Sequence, residues 1–190
     1  TIIYKIYTME NFDEMRRELL EQLKLLINFD SADFFLASAK GKKLERPVML
    51  NCEVNLGETY GKMEEVRKIM QSGKTLIYRD TDITGEEGRT EMDYYREIFR
   101  PNNWHYSLQM VVSRDKKFLG VITLYRTIGK ENFQSNDIFI LDMLKDHLAY
   151  RMSRHQENGC DNLKKLTVTE AVERYSLTRR EHTILKMLMQ

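Results

Sequence analysis

Two aspartates just after an apolar run are the first residues whose types and spacing could do chemistry. Thr75-Leu-Ile-Tyr78 is followed by Asp80-Thr-Asp82-Ile-Thr84-Gly85. Carboxylates are groups that can act as nucleophile or general acid and hold a divalent cation. With Glu91 the same residues match Asp-x-Asp-x-Thr-Gly-x5-Glu, the oxygen spacing of a calcium loop. Thr84, however, brings neither carboxylate nor amide to the fifth position. Glu87 stands where an apolar residue belongs, and a strand precedes the loop in place of a helix. The expectation is a solvated acidic loop, with no metal site and no cofactor.

Other chemical groups are scattered. His147 lies between apolar helix positions and reads as a packed, hydrogen-bonded side chain, while His105 beside Trp104 fits either a pocket wall or solvent. No Ser/His/Asp or Cys/His set shares an element, so the chain is not expected to be an enzyme. Cys52 and Cys160 form neither a disulfide framework nor a metal cluster, which fits a reducing cytoplasm. Thirty basic against twenty-nine acidic residues leave +1, which argues against a nucleic-acid binder working by overall charge. Of the 190 residues 42% are hydrophobic and 31% charged, a globular composition. The longest apolar runs (Phe34–Ala37, Val48–Leu50, Ile138–Leu141) fall far short of a membrane span. No leader precedes Ile2, and the initial threonine suggests a piece of a longer chain.

The elements that must position these groups follow from hydrophobic period. Phe12, Met15, Leu19, Leu23, Leu26 and Ile27 recur at helical steps between Met9 and Asn28, with Arg16, Arg17, Glu21 and Lys24 on the opposite face. Asp33–Ala37 and Val48–Cys52 read as a hairpin, Thr59–Gln71 as a helix closed by Ser72-Gly73, and Thr75–Arg79 as a strand. Glu91–Arg100 is helical up to Pro101. Trp104–Ser113 and Phe118–Thr127 form the strongest hairpin. An odd-length loop places Leu108, Met110, Val112, Ile122 and Leu124 on one face, and Ser107, Gln109, Val111, Thr123 and Tyr125 on the other. Ser135 is expected to cap a helix running to about Gln156, ended by Asn158-Gly159. This helix carries two apolar stripes: Ile138, Leu141, Leu148 and Met152, and Ile140, Met143, Leu144 and Tyr150. Strands separated by helices around an antiparallel core predict an α+β fold.

Three resemblances sharpen this reading. Strand followed by Asp80-x-Asp82-x-Thr84 resembles the nucleophile loop of haloacid-dehalogenase-type phosphotransferases, which implies Asp80 as the phosphorylated nucleophile and Asp82 as general acid, with Mg²⁺ screening both. The element order does not supply the parallel sheet and later acidic pair of that family. Phe118-Leu-Gly-Val-Ile-Thr-Leu-Tyr-Arg126, Asn132-Phe133-x3-Asp137 and Leu141-x2-Leu144-x2-His147-Leu148 resemble the closing signature of GAF domains, most of all the GAF-like sensors of LuxR-type transcription regulators. That resemblance spans roughly Met9 to His155. It implies a central antiparallel sheet with terminal helices on one face and shorter helices and loops on the other. Phe133 would plug the sheet edge, and Asp137 would sit at the positive end of the last helix. GAF-type methionine sulfoxide reductases rely on several cysteines, a pattern two do not meet.

The third lies at the C-terminal end. Leu177-Thr178-Arg179-Arg180-Glu181, leading into Ile184-Leu185, is similar to the opening of the LuxR-type helix-turn-helix domain. Thr178 and Glu181 form a Thr-x-x-Glu capping box. The chain reaches Gln190 before a recognition helix, so it is expected to bind DNA no better than a weakly charged control. The division expected is residues 1–157 as sensor, 158–175 as linker and 176–190 as the first helix of the DNA-binding domain. Tyr78, Tyr95, Trp104, Gln109, Thr123 and Tyr125 are the expected pocket for a small-molecule signal, the alternative being an ordinary second core. A homodimer through the terminal helices is expected to cover the second stripe.

Overall fold

The computed structural model describes residues 1–38, 41, 43–53, 64–163 and 178. They fall into two compact units, Thr1–His155 and Gln156–Gln190. Of the expected helix-turn-helix start only Thr178 is described, exposed and outside regular structure, so that expectation otherwise lies outside the described residues. The first part of the Thr59–Gln71 helix does too.

Five antiparallel strands form one sheet in the order β2-β1-β5-β4-β3, with β1 at Ser31–Ala37, β2 at Leu44–Leu50, β3 at Leu76–Arg79, β4 at Trp104–Arg114 and β5 at Lys117–Thr127. The α+β class is therefore observed. Pro47, which lacks an N–H, sits in edge strand β2, where a missing donor is tolerated. Between β4 and β5 the turn is Asp115-Lys116, both left-handed (φ 51° and 62°). This is an even, two-residue loop, contrary to the odd one expected. A register shift between Val112 and Ser113 supplies the missing offset, so Leu108 still opposes Leu124 and Met110 still opposes Ile122. The expected segregation of faces holds.

One face packs against α1 (Ile2–Thr8), α2 (Phe12–Lys24) and the long α5 (Ser135–Leu163). The helix expected from Met9 to Asn28 is observed as α2, shorter at both ends, and α1 precedes it. Asn11 caps α2, its Oδ1 accepting from the amides of Asp13 (3.0 Å) and Glu14 (3.2 Å). Arg16, expected on the outer face, is wholly buried. Its guanidinium donates to the carbonyls of Phe34 (2.9 Å) and Arg46 (2.6 Å) and to Asp13 Oδ1 (2.7 Å). These carbonyls lie where the β1–β2 register shifts, with Arg46 itself at φ 51°. The arginine thus supplies donors that the irregular ladder does not.

Ser135, expected as the cap, is instead the first helical residue of α5, one position past Gln134. The Gln134 carbonyl accepts the Ile138 amide (3.3 Å), and Asp137 accepts the Gln134 amide (2.8 Å). Asp137 also receives Arg126 at 3.0 Å, and Arg126 lies over the buried Phe133 ring at 4.1 Å. α5 continues past Gly159 to Leu163, since one glycine costs a helix only about 1 kcal/mol. His147 is half-buried, its Nδ1 2.9 Å from the Tyr7 hydroxyl.

The other face carries α3 (Glu64–Gln71), α4 (Asp80–Thr84) and the segment 89–102. In that segment the expected Glu91–Arg100 helix is replaced by two 3-10 turns around one wide π-turn at Tyr95–Phe99. Asn103, left-handed at φ 58°, turns the chain into β4.

Candidate functional site

Side chains alternate across a sheet, so residues two apart on each strand line up in rows with their ladder partners. On the face opposite the terminal helices, the first row is Ser31, Tyr125 and Ser107. The second is Asp33, Thr123, Gln109 and Tyr78, and the third is Phe35, Val121, Val111 and Leu76. Two polar rows thus lie beside an apolar one, all buried except Leu76 at the edge strand.

The six residues expected from the sequence all lie buried on this side and form two groups. In the polar group, the Tyr78 hydroxyl donates to Gln109 Oε1 at 2.8 Å, and Thr123 stands between Gln109 and Asp33. Burial pushes the Tyr78 phenol well above its ordinary range. In the aromatic group, Trp104 stacks on Tyr125 with centroids 3.9 Å apart, and Phe99 meets Tyr125 edge-on at 6.0 Å. Tyr95 packs against Phe99 and its hydroxyl lies 2.6 Å from His105 Nδ1. His105 is half-buried against Tyr95, and burial followed by the nearby Arg89 charge lowers its pKa.

Three residues that the sequence reading did not single out join the two groups. Asp33 is 0% exposed, and the Tyr125 hydroxyl donates to its Oδ2 at 2.6 Å. Burial outweighs the help of Tyr125 and Thr123 and raises its pKa to about 7. Asp33 Oδ1, Ser31 Oγ and Ser107 Oγ have no hydrogen-bond partner among the described residues. The available signal was an aspartate opening the run Asp33-Phe-Phe-Leu-Ala, a charge in strand register with an apolar segment. Cys52 borders this patch. Its thiol is hydrogen-bonded to the Ala32 carbonyl at 3.3 Å, and burial, followed by the charge of Asp33, pushes it up to about 11, so it is inert as a nucleophile.

The acidic loop is solvated as expected at Asp82, Glu86, Glu87 and Glu91, all exposed, but not at Asp80. Asp80 is buried, with Oδ2 on the Arg89 guanidinium at 2.7 Å and Oδ1 on the Ser107 amide at 3.2 Å. Arg89 is itself buried between the rings of Tyr95 and Tyr106, centroids 5.3 and 4.9 Å away. Asp82 is held by Arg79, from the side chain at 2.7 Å and from the backbone amide at 2.8 Å. Both carboxylates of the phosphotransferase and calcium readings are therefore committed to holding the loop on the sheet. Among the described residues no three His, Cys, Asp or Glu side chains gather as metal ligands.

With this architecture in view, the comparisons with known proteins gain their meaning. No protein-family model matches the chain, and no curated protein sequence does. Solved structures do. The GAF domain of a two-component sensor histidine kinase from Bacillus halodurans aligns at 19% identity and TM-score 0.58 over 80% of this chain and 99% of that one. The fold is GAF-like. The VqsR LBD domain from Pseudomonas aeruginosa aligns at 15% identity and TM-score 0.57, over 80% and 92%. A free methionine-R-sulfoxide reductase from Neisseria meningitidis, solved with its substrate, aligns at 12% identity and TM-score 0.52, over 83% and 87%. No helix among the described residues is long and apolar enough to cross a membrane.

Proposed function

We propose that this GAF-like domain is the non-enzymatic, signal-sensing half of a LuxR-type DNA-binding regulator. A small molecule binds against the polar rows of the sheet. The observation that carries this reading is the buried set Asp33, Thr123, Gln109 and Tyr78, flanked by Ser31 and Ser107, on the face away from the terminal helices. A few fixed polar groups on an apolar, aromatic wall are what orient a small ligand. The similarity of Leu177–Glu181 to the start of a LuxR-type helix-turn-helix links the domain to transcription. Against a sulfoxide reductase stands the chemistry of Cys52, whose thiol is held protonated.

Regulators of this type read paired half-sites, so the domain must present its output in pairs. An apolar groove of about 380 Å³ lies among α1, the end of α2 and α5, lined by Ile3, Leu25, Leu26, Ile140 and Met143 among others. Leu25 is 77% and Met143 58% exposed. A second copy of the chain covers this groove.

A metabolite-library screen by thermal shift tests the sensing role, followed by the emission of Trp104, the sole tryptophan. The expected result is a stabilising compound whose effect is lost in Thr123→Val and Gln109→Leu. A library in which every shift survives both substitutions overturns the site.

A further inference from the structure

We infer that the ligand of the polar face is a small organic cation, held through an ammonium or amidinium group by the Asp33 carboxylate. This rests on the small-molecule reading above and names the chemistry of that ligand.

Asp33 is a buried charge without a counter-charge among the described residues. Most other buried ionic groups described here have a partner of opposite sign: Arg89 has Asp80, Arg126 has Asp137, and Arg16 has Asp13. Asp33 is as deeply buried as any of them, yet among the described residues no cation pairs with it. Its stabilisation comes from two neutral hydroxyls, those of Tyr125 and Thr123. A carboxylate in that position is costly unless a proton or a cation joins it.

The surrounding atoms say which cation fits. Oδ1, the oxygen not taken by Tyr125, has no partner among the described residues, nor do Ser31 Oγ and Ser107 Oγ in the neighbouring row. All three residues are at most 2% exposed and lie on one face of the sheet, Ser31 and Asp33 on β1 and Ser107 on β4, with Tyr125 of β5 between the two serines. Together they offer one charged and two neutral acceptors, the complement of a group carrying several N–H donors and a positive charge. An anion would meet the carboxylate directly, and a purely apolar ligand would leave all three atoms unsatisfied. The stacked Trp104–Tyr125 pair adjoins this patch through the Tyr125 hydroxyl, so an organic cation there also meets π-faces.

The probes are benzylamine, benzyl alcohol and benzoate, of similar size and differing in charge, read by Trp104 emission and calorimetry. Benzylamine is expected to bind at least tenfold more tightly than the alcohol, with benzoate weakest. Asp33→Asn keeps the shape and removes the charge, and should abolish that preference. Ser31→Ala with Ser107→Ala should weaken the amine severalfold, while Met143→Glu, on the opposite side of the sheet, should leave it unchanged. Equal binding of amine and alcohol, or an amine preference surviving in folded Asp33→Asn, overturns the cation inference and leaves the sensing role standing. Absence of amine binding at millimolar concentration overturns it as well, and the library screen then decides the sensing role separately.

Discussion

Leu108, Met110, Val112, Ile122 and Leu124 present the terminal helices with a layer free of polar side-chain atoms, while one residue away on the same strands Ser107, Gln109, Thr123 and Tyr125 build the opposite layer. Both are buried. On the helix side, shape complementarity decides: Gly120 has no side chain because the Phe35 carbonyl would lie 2.3 Å and Met152 Cε 2.7 Å from a Cβ. The other side is decided by polar satisfaction, and there it is incomplete. A face packed to native density has nothing left to recognise, whereas one with unspent acceptors does.

The largest expected effect lies on the helix face. Gly120→Val pushes side-chain atoms into β1 backbone, and a loss above about 4 kcal/mol, read as failure to unfold cooperatively, is expected. Arg89→Met tests the other face by stranding the buried Asp80 carboxylate, with a loss of about 3–5 kcal/mol at neutral pH in urea melts. Because burial raises the Asp80 pKa, that loss should shrink in acid, where the stranded group takes a proton, and Asp80→Asn should rescue it.

An effect of similar size and opposite sign distinguishes Asp33. Its folded pKa of about 7 lies above the ordinary 3.8, so the native state binds its proton more tightly than the unfolded chain. Its contribution is fully present below pH 3.8 and is lost as pH rises through about 7. Asp33→Asn should therefore be more stable than the unaltered chain at pH 8, by roughly 4 kcal/mol, and nearly equal to it in acid. Asp13, Asp30 and Asp82, whose pKa values are lowered, are common to both proteins and cancel. The smallest effect on stability, within about 0.5 kcal/mol, is expected for Met143→Glu with Tyr150→Glu, both exposed on α5. These should convert a dimer to a folded monomer by light scattering, and an unaltered protein already monomeric at micromolar concentration contradicts the shared groove.

The two faces also differed in how far the sequence disclosed them. Strand period alone assigned the β4 and β5 residues to their sides, Gln109, Thr123 and Tyr125 of the expected pocket among them, because alternation is a local property. It did so despite a wrong loop length, since a bulge corrected the register. Groups whose role depends on distant partners were not legible. Arg16 is four residues from Phe12, on the apolar stripe of α2, but its charge argued for solvent until the β1–β2 irregularity offered it carbonyls. Asp80 read as a solvated acid because its partner, Arg89, lies across a turn and under two rings. Asp33 read as the edge of an apolar run, since nothing local announces a hydroxyl arriving from Tyr125, 92 residues away.

The most direct test is an NMR titration of the Asp33 carboxyl carbon in the ligand-free protein, assigned by comparison with Asp33→Asn. A midpoint near 7, moving downward when benzylamine is added, is the result expected of a buried carboxylate waiting for a cation. An ordinary carboxylate midpoint, about 4 and unchanged by the amine, would show that Asp33 is already compensated and that the polar face is simply a second core.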